Sequence, residues 1–265
     1  MMQIDDLGDH EDAPPAIPAA TTVIYRRDPA GGAGQVLMVI RSSRMRFAGG
    51  AAVFPGGRID PADHDLAARI GGDLEPIDAA ARIAGIRETL EETGLALGIA
   101  EAVDAQTAIA ARTMLLAEGA LAPVLDKFGW TLALDRLVPF ARWLPRHRLM
   151  KVFDTRFYLY DIGTGAVDIS VDDTENRHLF WASPAEVLRR ADAGELEVIF
   201  PTRRNLERLA QFEGYADCLA HVEATPVVTI TPQVVYRDDV PWLVIPAAEA
   251  GYPVDGEPIV QANRG

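Results

Sequence analysis

Arg87-Glu88-Thr89-Leu90-Glu91-Glu92-Thr93-Gly94-Leu95 places four charged side chains in six consecutive positions and then stops on a glycine. A helix turns about 100° per residue, so with Glu88 at zero, Glu91 falls at about −60° and Glu92 at about +40°. The three carboxylates therefore share one arc. Ile83, Ile86 and Leu90 fall on the opposite side. One face of such a helix docks on a sheet while the other presents the acids. Asp78 is the expected N-cap and Gly94 the expected stop, which predicts a helix from about 78 to 93.

Carboxylates this close repel one another and raise each other's pKa unless a cation sits between them. A hard divalent ion, Mg²⁺ or Mn²⁺, favours oxygen ligands of this kind. Arg87 precedes Glu91 by one helical turn and can reach it at i, i+4. A solvated acidic face is the ordinary explanation of a Glu-rich helix. The pattern R-E-x-x-E-E-x-G, however, arises by chance in on the order of one in a few thousand chains of this length.

Working outward, residues 1–18 are acidic and Pro/Ala-rich and are expected to form a mobile tail, leaving 19–265 as one domain. Short β-branched runs predict strands over Thr21–Arg26, Gln35–Ile40 and Ala51–Phe54, ended by Pro55-Gly56-Gly57. Residues 58–77 are expected as a long polar loop with turns at Asp60-Pro61 and Gly71-Gly72. A helical insertion is predicted over 101–129. Strands follow over Leu137–Leu144 and Val152–Ile162, a helix opened by the capping pattern at Ser183, one helix over Thr202–His221, and strands within 226–245. Residues 201–265 form a C-terminal extension. Alternating strands and helices indicate an α/β or α+β domain.

The chain has 265 residues, a formal net charge of −14 and one cysteine, Cys218. That charge disfavours nucleic-acid backbones and anionic lipid as general partners. A lone cysteine excludes an intramolecular disulfide and a Cys-rich zinc site. No secretory signal and no run of 18 apolar residues is found, so no membrane partner and a cytoplasmic location are expected. A nucleophile elbow, a Walker loop and an H-E-x-x-H pair are absent from the sequence. The five histidines lack metal-ligand spacing.

The acidic helix resembles the Nudix box, G-x5-E-x7-R-E-U-x-E-E-x-G-U, with U a bulky apolar residue. Arg87-Glu88, Glu91-Glu92, Gly94 and Leu95 match it. Thr89 stands at one U position, and Ala79 stands where the family has its first Glu, usually a supporting residue. Gly57, the candidate box glycine, precedes Arg87 by 30 positions, an excess of about 16 over the family spacing. Upstream, Arg41-Ser42, Arg46, Gly50 and Phe54-Pro55-Gly56-Gly57 form R-S-x3-R-x3-G-x3-F-P-G-G. This run resembles the signature of coenzyme A diphosphatases, the branch whose box is interrupted. Ala48 and Ala51 replace the His and Gln often found there.

The resemblance implies a Nudix-type α/β/α sandwich with a mixed sheet. It implies hydrolysis of the diphosphate of coenzyme A or acyl-CoA to 3′,5′-ADP and a phosphopantetheine. Glu88, Glu91 and Glu92, with the Gly57 carbonyl, would hold Mg²⁺ or Mn²⁺. Glu88, Glu91 and Arg87 would serve catalysis. Arg41, Arg46, Gly50 and Arg58 would meet an anionic, nucleotide-type substrate, as guanidinium groups suit phosphates. Glu175 is a candidate extra acid, and Arg156, in a segment similar to the same branch, a candidate to face substrate. The alternatives are another nucleoside diphosphate derivative, such as ADP-ribose or a dinucleotide, and a regulator that binds a nucleotide without cleaving it. A homodimer is compatible with all of them.

Overall fold

The computed structural model describes residues 13–41, 50–147, 151–163 and 176–262. In chain order these form β1 (Ile17–Arg26), β2 (Gln35–Arg41), β3 (Ala52–Val53), β4 (Gly56–Arg58), α1 (Pro61–Ile70), α2 (Pro76–Thr93), α3 (Ala105–Glu118), α4 (Leu121–Phe128), β5 (Val138–Trp143), β6 (Phe153–Asp161) and β7 (Asn176–Ala182). Then come α5 (Pro184–Asp192), α6 (Phe200–Leu209), α7 (Tyr215–Ala224), β8 (Thr229–Ile230), β9 (Gln233–Arg237), β10 (Val240–Val244), α8 (Ala247–Ala250), β11 (Gly256–Pro258) and α9 (Ile259–Ala262).

Period-two alternation divides the central strands between two cores. Ala20 and Ile24 of β1, Leu37 and Val39 of β2, and Tyr158 and Tyr160 of β6 enter one core, with α1 to α4. Val23 and Tyr25, Val36 and Met38, and Phe157 and Leu159 enter the other, with α5 to α7 and the C-terminal segment. The sheet runs β3-β2-β1-β6-β5-β8, with β4 paired to β1 and β7 to β2. β1–β6 and β5–β8 are parallel and the remaining pairs antiparallel, so the sheet is mixed. The architecture is the expected α/β/α sandwich. No described helix is long and apolar enough to cross a membrane.

Several expectations need correction. β1 starts at Ile17, inside the stretch expected as tail. α2 starts at Pro76 rather than near Asp78, because proline is well suited to the first helical position. Asp78 then lies within the first turn, where it accepts hydrogen bonds from Arg82 Nε at 2.8 Å and Tyr158 Oη at 2.6 Å. The expected loop over 58–77 contains α1, since Asp60-Pro61 is a helix entry and not only a turn. The expected single helix over Thr202–His221 is two, broken between Ala210 and Gly214, and the break lets α7 turn Cys218 and Val222 into the second core.

The stretch 101–129, expected as a helical insertion, holds two helices, α3 and α4. At the start of α5, Ser183 caps as expected, its Oγ accepting the Glu186 N–H at 3.2 Å. β9 and β10 form a hairpin through Asp238 and Asp239, both with positive φ, as a two-residue turn of this hand requires.

Candidate active site

α2 carries the site, and its conformation follows from its ends and its apolar stripe. Gly94 adopts φ 78°, and its N–H returns to the Leu90 carbonyl at 3.0 Å, closing the last turn in the left-handed conformation glycine tolerates. Ile83, Ile86 and Leu90 are fully buried against the sheet. The small residues allow close approach: a side chain at Gly85 would meet Thr22 Oγ1 at 2.9 Å. The opposite face is not open to solvent, as a simple amphipathic helix would have it. Arg87 and Glu92 are buried, and Glu88 and Glu91 keep side-chain exposures of only 16% and 20%. The β4 turn and α1 cover them.

Arg87 organises this buried charge. Its Nε and Nη2 both donate to the Asp63 carboxylate at 3.0 Å, its Nη1 donates to Glu88 Oε1 at 3.0 Å and Glu91 Oε2 at 3.2 Å, and its Nη2 also donates to the Arg58 carbonyl at 2.9 Å. Asp60 adds a longer ion pair at 3.5 Å. Asp63 is 1% exposed and also accepts the Asp60 backbone N–H at 2.9 Å. It is the partner of Arg87 that sequence reading missed. Ala79, at the position of the expected family Glu, is buried and apolar, and the carboxylate that grips Arg87 comes from α1. The visible signal was Asp60-Pro61-x-Asp63, an N-cap, a proline and a first-turn acid.

Glu92 accepts the Gly56 N–H through Oε2 at 2.9 Å. Gly56 must lack a side chain here, because a Cβ would run into the Ala20 carbonyl oxygen. At Gly57 a Cβ would overlap the Glu88 carboxylate, the end of a side chain that can swing aside. Gly57→Ala should therefore displace Glu88, and turnover should fall by about a hundredfold with a much smaller loss of stability. Steady-state kinetics and a melting curve on the same sample check this. Arg112 of α3 donates to the Glu91 carbonyl at 2.9 Å, offsetting the negative end of the α2 dipole.

The cluster carries excess negative charge. Asp60, Asp63, Glu88 and Glu91 all share Arg87, and Glu92 lies beside Glu88. Burial pushes the Glu88 carboxyl up to about 8; Arg87 pulls against this, while Glu92 and Glu91 add to the rise. Burial also raises Glu91, again opposed by Arg87. Arg87 is held well above its ordinary range: burial opposes its charge, but Asp63, Glu88 and Glu91 outweigh that. These hard oxygen donors, short of positive charge, fit a divalent cation of the Mg²⁺ type. Among the described residues no three acidic, His or Cys side chains already converge on one point.

Of the other expected site residues, Arg41 ends β2 and is half-buried. Gly50 has φ 88°, and its N–H bonds back to the Arg41 carbonyl at 3.1 Å. The Arg58 side chain is exposed, and its contribution to the cluster is its carbonyl. Arg46 and Glu175 lie outside the described residues.

No family model and no curated protein sequence matches the chain. Among solved structures, a Nudix hydrolase from Alicyclobacillus acidocaldarius is 26% identical, with a TM-score of 0.67 over 78% of this chain and 96% of that one. The M. smegmatis Nudix hydrolase RenU (14% identity, TM-score 0.43, 83% of this chain and 96% of that one) aligns more loosely. So does the Nudix domain of Shewanella oneidensis NrtR complexed with ADP ribose (14%, TM-score 0.42, 75% and 89%). In fold the chain is similar to the Nudix hydrolase from Alicyclobacillus acidocaldarius along nearly the whole of that protein's length.

Proposed function

We propose that the protein hydrolyses the diphosphate of coenzyme A or an acyl-CoA, giving 3′,5′-ADP and the (acyl-)phosphopantetheine. The observation that carries this reading is the buried carboxylate cluster on α2, in which one guanidinium is shared by several acids. The upstream run Arg41-Ser42, Arg46, Gly50, Phe54-Pro55-Gly56-Gly57 supports the choice of substrate.

In this mechanism Glu88, Glu91, Glu92 and the Gly57 carbonyl would hold Mg²⁺ or Mn²⁺. When bound, the metal neutralises charge on the diphosphate and lowers the pKa of water. Arg87 fixes the orientation of Glu88 and Glu91 through its Nη1. Glu88, the most strongly perturbed of the acids, takes a proton from the attacking water. The water oxygen bonds to phosphorus, the bridging P–O bond breaks, and two phosphate monoesters leave. Arg41 and Arg58 contact the anionic substrate from the β2 and β4 ends. The same reading places the enzyme in the cytoplasm, with neither nucleic acid nor membrane as partner.

The test is product analysis by mass spectrometry after incubation with coenzyme A and Mg²⁺, run beside ADP-ribose and a dinucleoside polyphosphate. Release of 3′,5′-ADP is the expected result. Cleavage of ADP-ribose or the dinucleotide alone would move the enzyme to another nucleoside diphosphate derivative. A nucleotide that raised the melting temperature without any cleavage would indicate a binding protein.

A further inference from the structure

We propose that Arg156, held with Arg142 by Asp154, forms a phosphate-binding subsite on the sheet face beside the α2 carboxylates. The inference rests on the diphosphatase reading for the identity of its ligand, though not for its geometry. Strand register provides the placement. Gly57 pairs with Ala20, Ala20 with Arg156, and Arg156 with Arg142, a transverse row across β4, β1, β6 and β5. Directly opposed residues share a face. Ala20 enters the core on the α2 side, as does Tyr158, two residues beyond Arg156. Arg156 therefore lies on the face that α2 covers, two strands from the glycine against which Glu88 packs. At about 4.8 Å per strand, its Cα is about 10 Å from that of Gly57.

The hydrogen bonding of this trio is incomplete. Arg142 takes both Asp154 oxygens in a fork, Nε to Oδ1 at 2.8 Å and Nη2 to Oδ2 at 2.7 Å. Arg156 is left with an ion pair from Nη1 to Oδ2 at 3.5 Å, and this buried nitrogen makes no hydrogen bond. A buried donor without an acceptor is costly and uncommon in folded chains. Two guanidinium groups against one carboxylate leave the trio with net charge +1. The surrounding segment 142–156 carries five Lys and Arg against the single acid Asp154, in a chain of net charge −14. Phosphate oxygens satisfy such a donor with charge-assisted, planar geometry.

The test uses the full-length enzyme with Arg156→Gln, Arg156→Lys and Arg142→Gln, and the substrates coenzyme A and 3′-dephospho-coenzyme A. Arg156→Gln should raise KM roughly tenfold to a hundredfold with kcat nearly unchanged, and Arg156→Lys should restore part of the loss. A KM rise confined to coenzyme A identifies the bound group as the 3′-phosphate; a rise with both substrates identifies it as the diphosphate. Unchanged KM, or a fall in kcat together with melting temperature at constant KM, overturns the subsite. Adenosine 3′,5′-bisphosphate without metal gives a second readout. It should raise the melting temperature of the unmodified protein and not that of Arg156→Gln. No shift, or equal shifts, would also overturn the proposal. If neither substrate is cleaved by the unmodified enzyme, the diphosphatase reading falls, and the melting shift still decides the subsite.

Discussion

Asp63→Ala should lower folding stability by about 3–5 kcal/mol, the usual cost of removing one partner from a buried ion pair. The magnitude follows from burial: Asp63 is 1% exposed and Arg87 3% exposed, and the pair is joined at two points. Removing the carboxylate strands a guanidinium in the interior, with Glu88 and Glu91 as its remaining side-chain hydrogen-bond partners. Their orientation should loosen with it, so turnover should fall even where the protein stays folded. Urea unfolding midpoints and kinetics on the same preparation measure both effects. Asp63→Asn keeps the shape and one acceptor, and should fall between the two proteins. A loss below about 1 kcal/mol for the alanine variant would show that water or Asp60 replaces the partner.

Glu92→Gln should behave in the opposite way, losing activity and keeping the fold. Its carboxylate accepts the Gly56 N–H, and a glutamine oxygen can accept the same bond. The substitution removes one negative charge from beside Glu88, which relieves repulsion. Stability should therefore hold or rise slightly. Turnover should fall by about a hundredfold or more, because under the proposed mechanism a metal-ligand charge is lost. A Mg²⁺ titration of turnover, with a melting curve alongside, measures this. Turnover close to that of the unmodified enzyme at every Mg²⁺ concentration would remove Glu92 from the mechanism.

What the sequence revealed depended on whether a signal was local. The acidic helix, its apolar stripe and its glycine stop lie within one segment, and α2 ends where Gly94 predicts. Short β-branched and aromatic runs likewise located β1 and β2, and alternation located β6. The grip of Asp63 on Arg87 spans 24 positions and joins two helices, one of which was expected to be loop. Asp60-Pro61 serves equally well as a turn and as a helix entry, and only the packing of Leu66 and Ala67 into the core selects the second. The enclosure of the acidic face was similarly hidden, because it depends on the β4 turn folding back over α2. The Arg142–Asp154–Arg156 trio is legible only through strand register.

The C-terminal segment has a consequence for how the protein is made. Tyr252 accepts from Trp143 Nε1 at 3.2 Å and donates to Asn205 at 2.6 Å, and Glu257 pairs with Arg204 at 3.0 Å. Ile245, Ala247, Ala250 and Tyr252 pack beside Phe140, Trp143 and Leu206 in the second core. That core cannot close until residues 245–257 have left the ribosome, although the α2 side can assemble earlier. During synthesis the nascent protein therefore exposes a half-finished apolar layer, the interval in which a chaperone has most to protect.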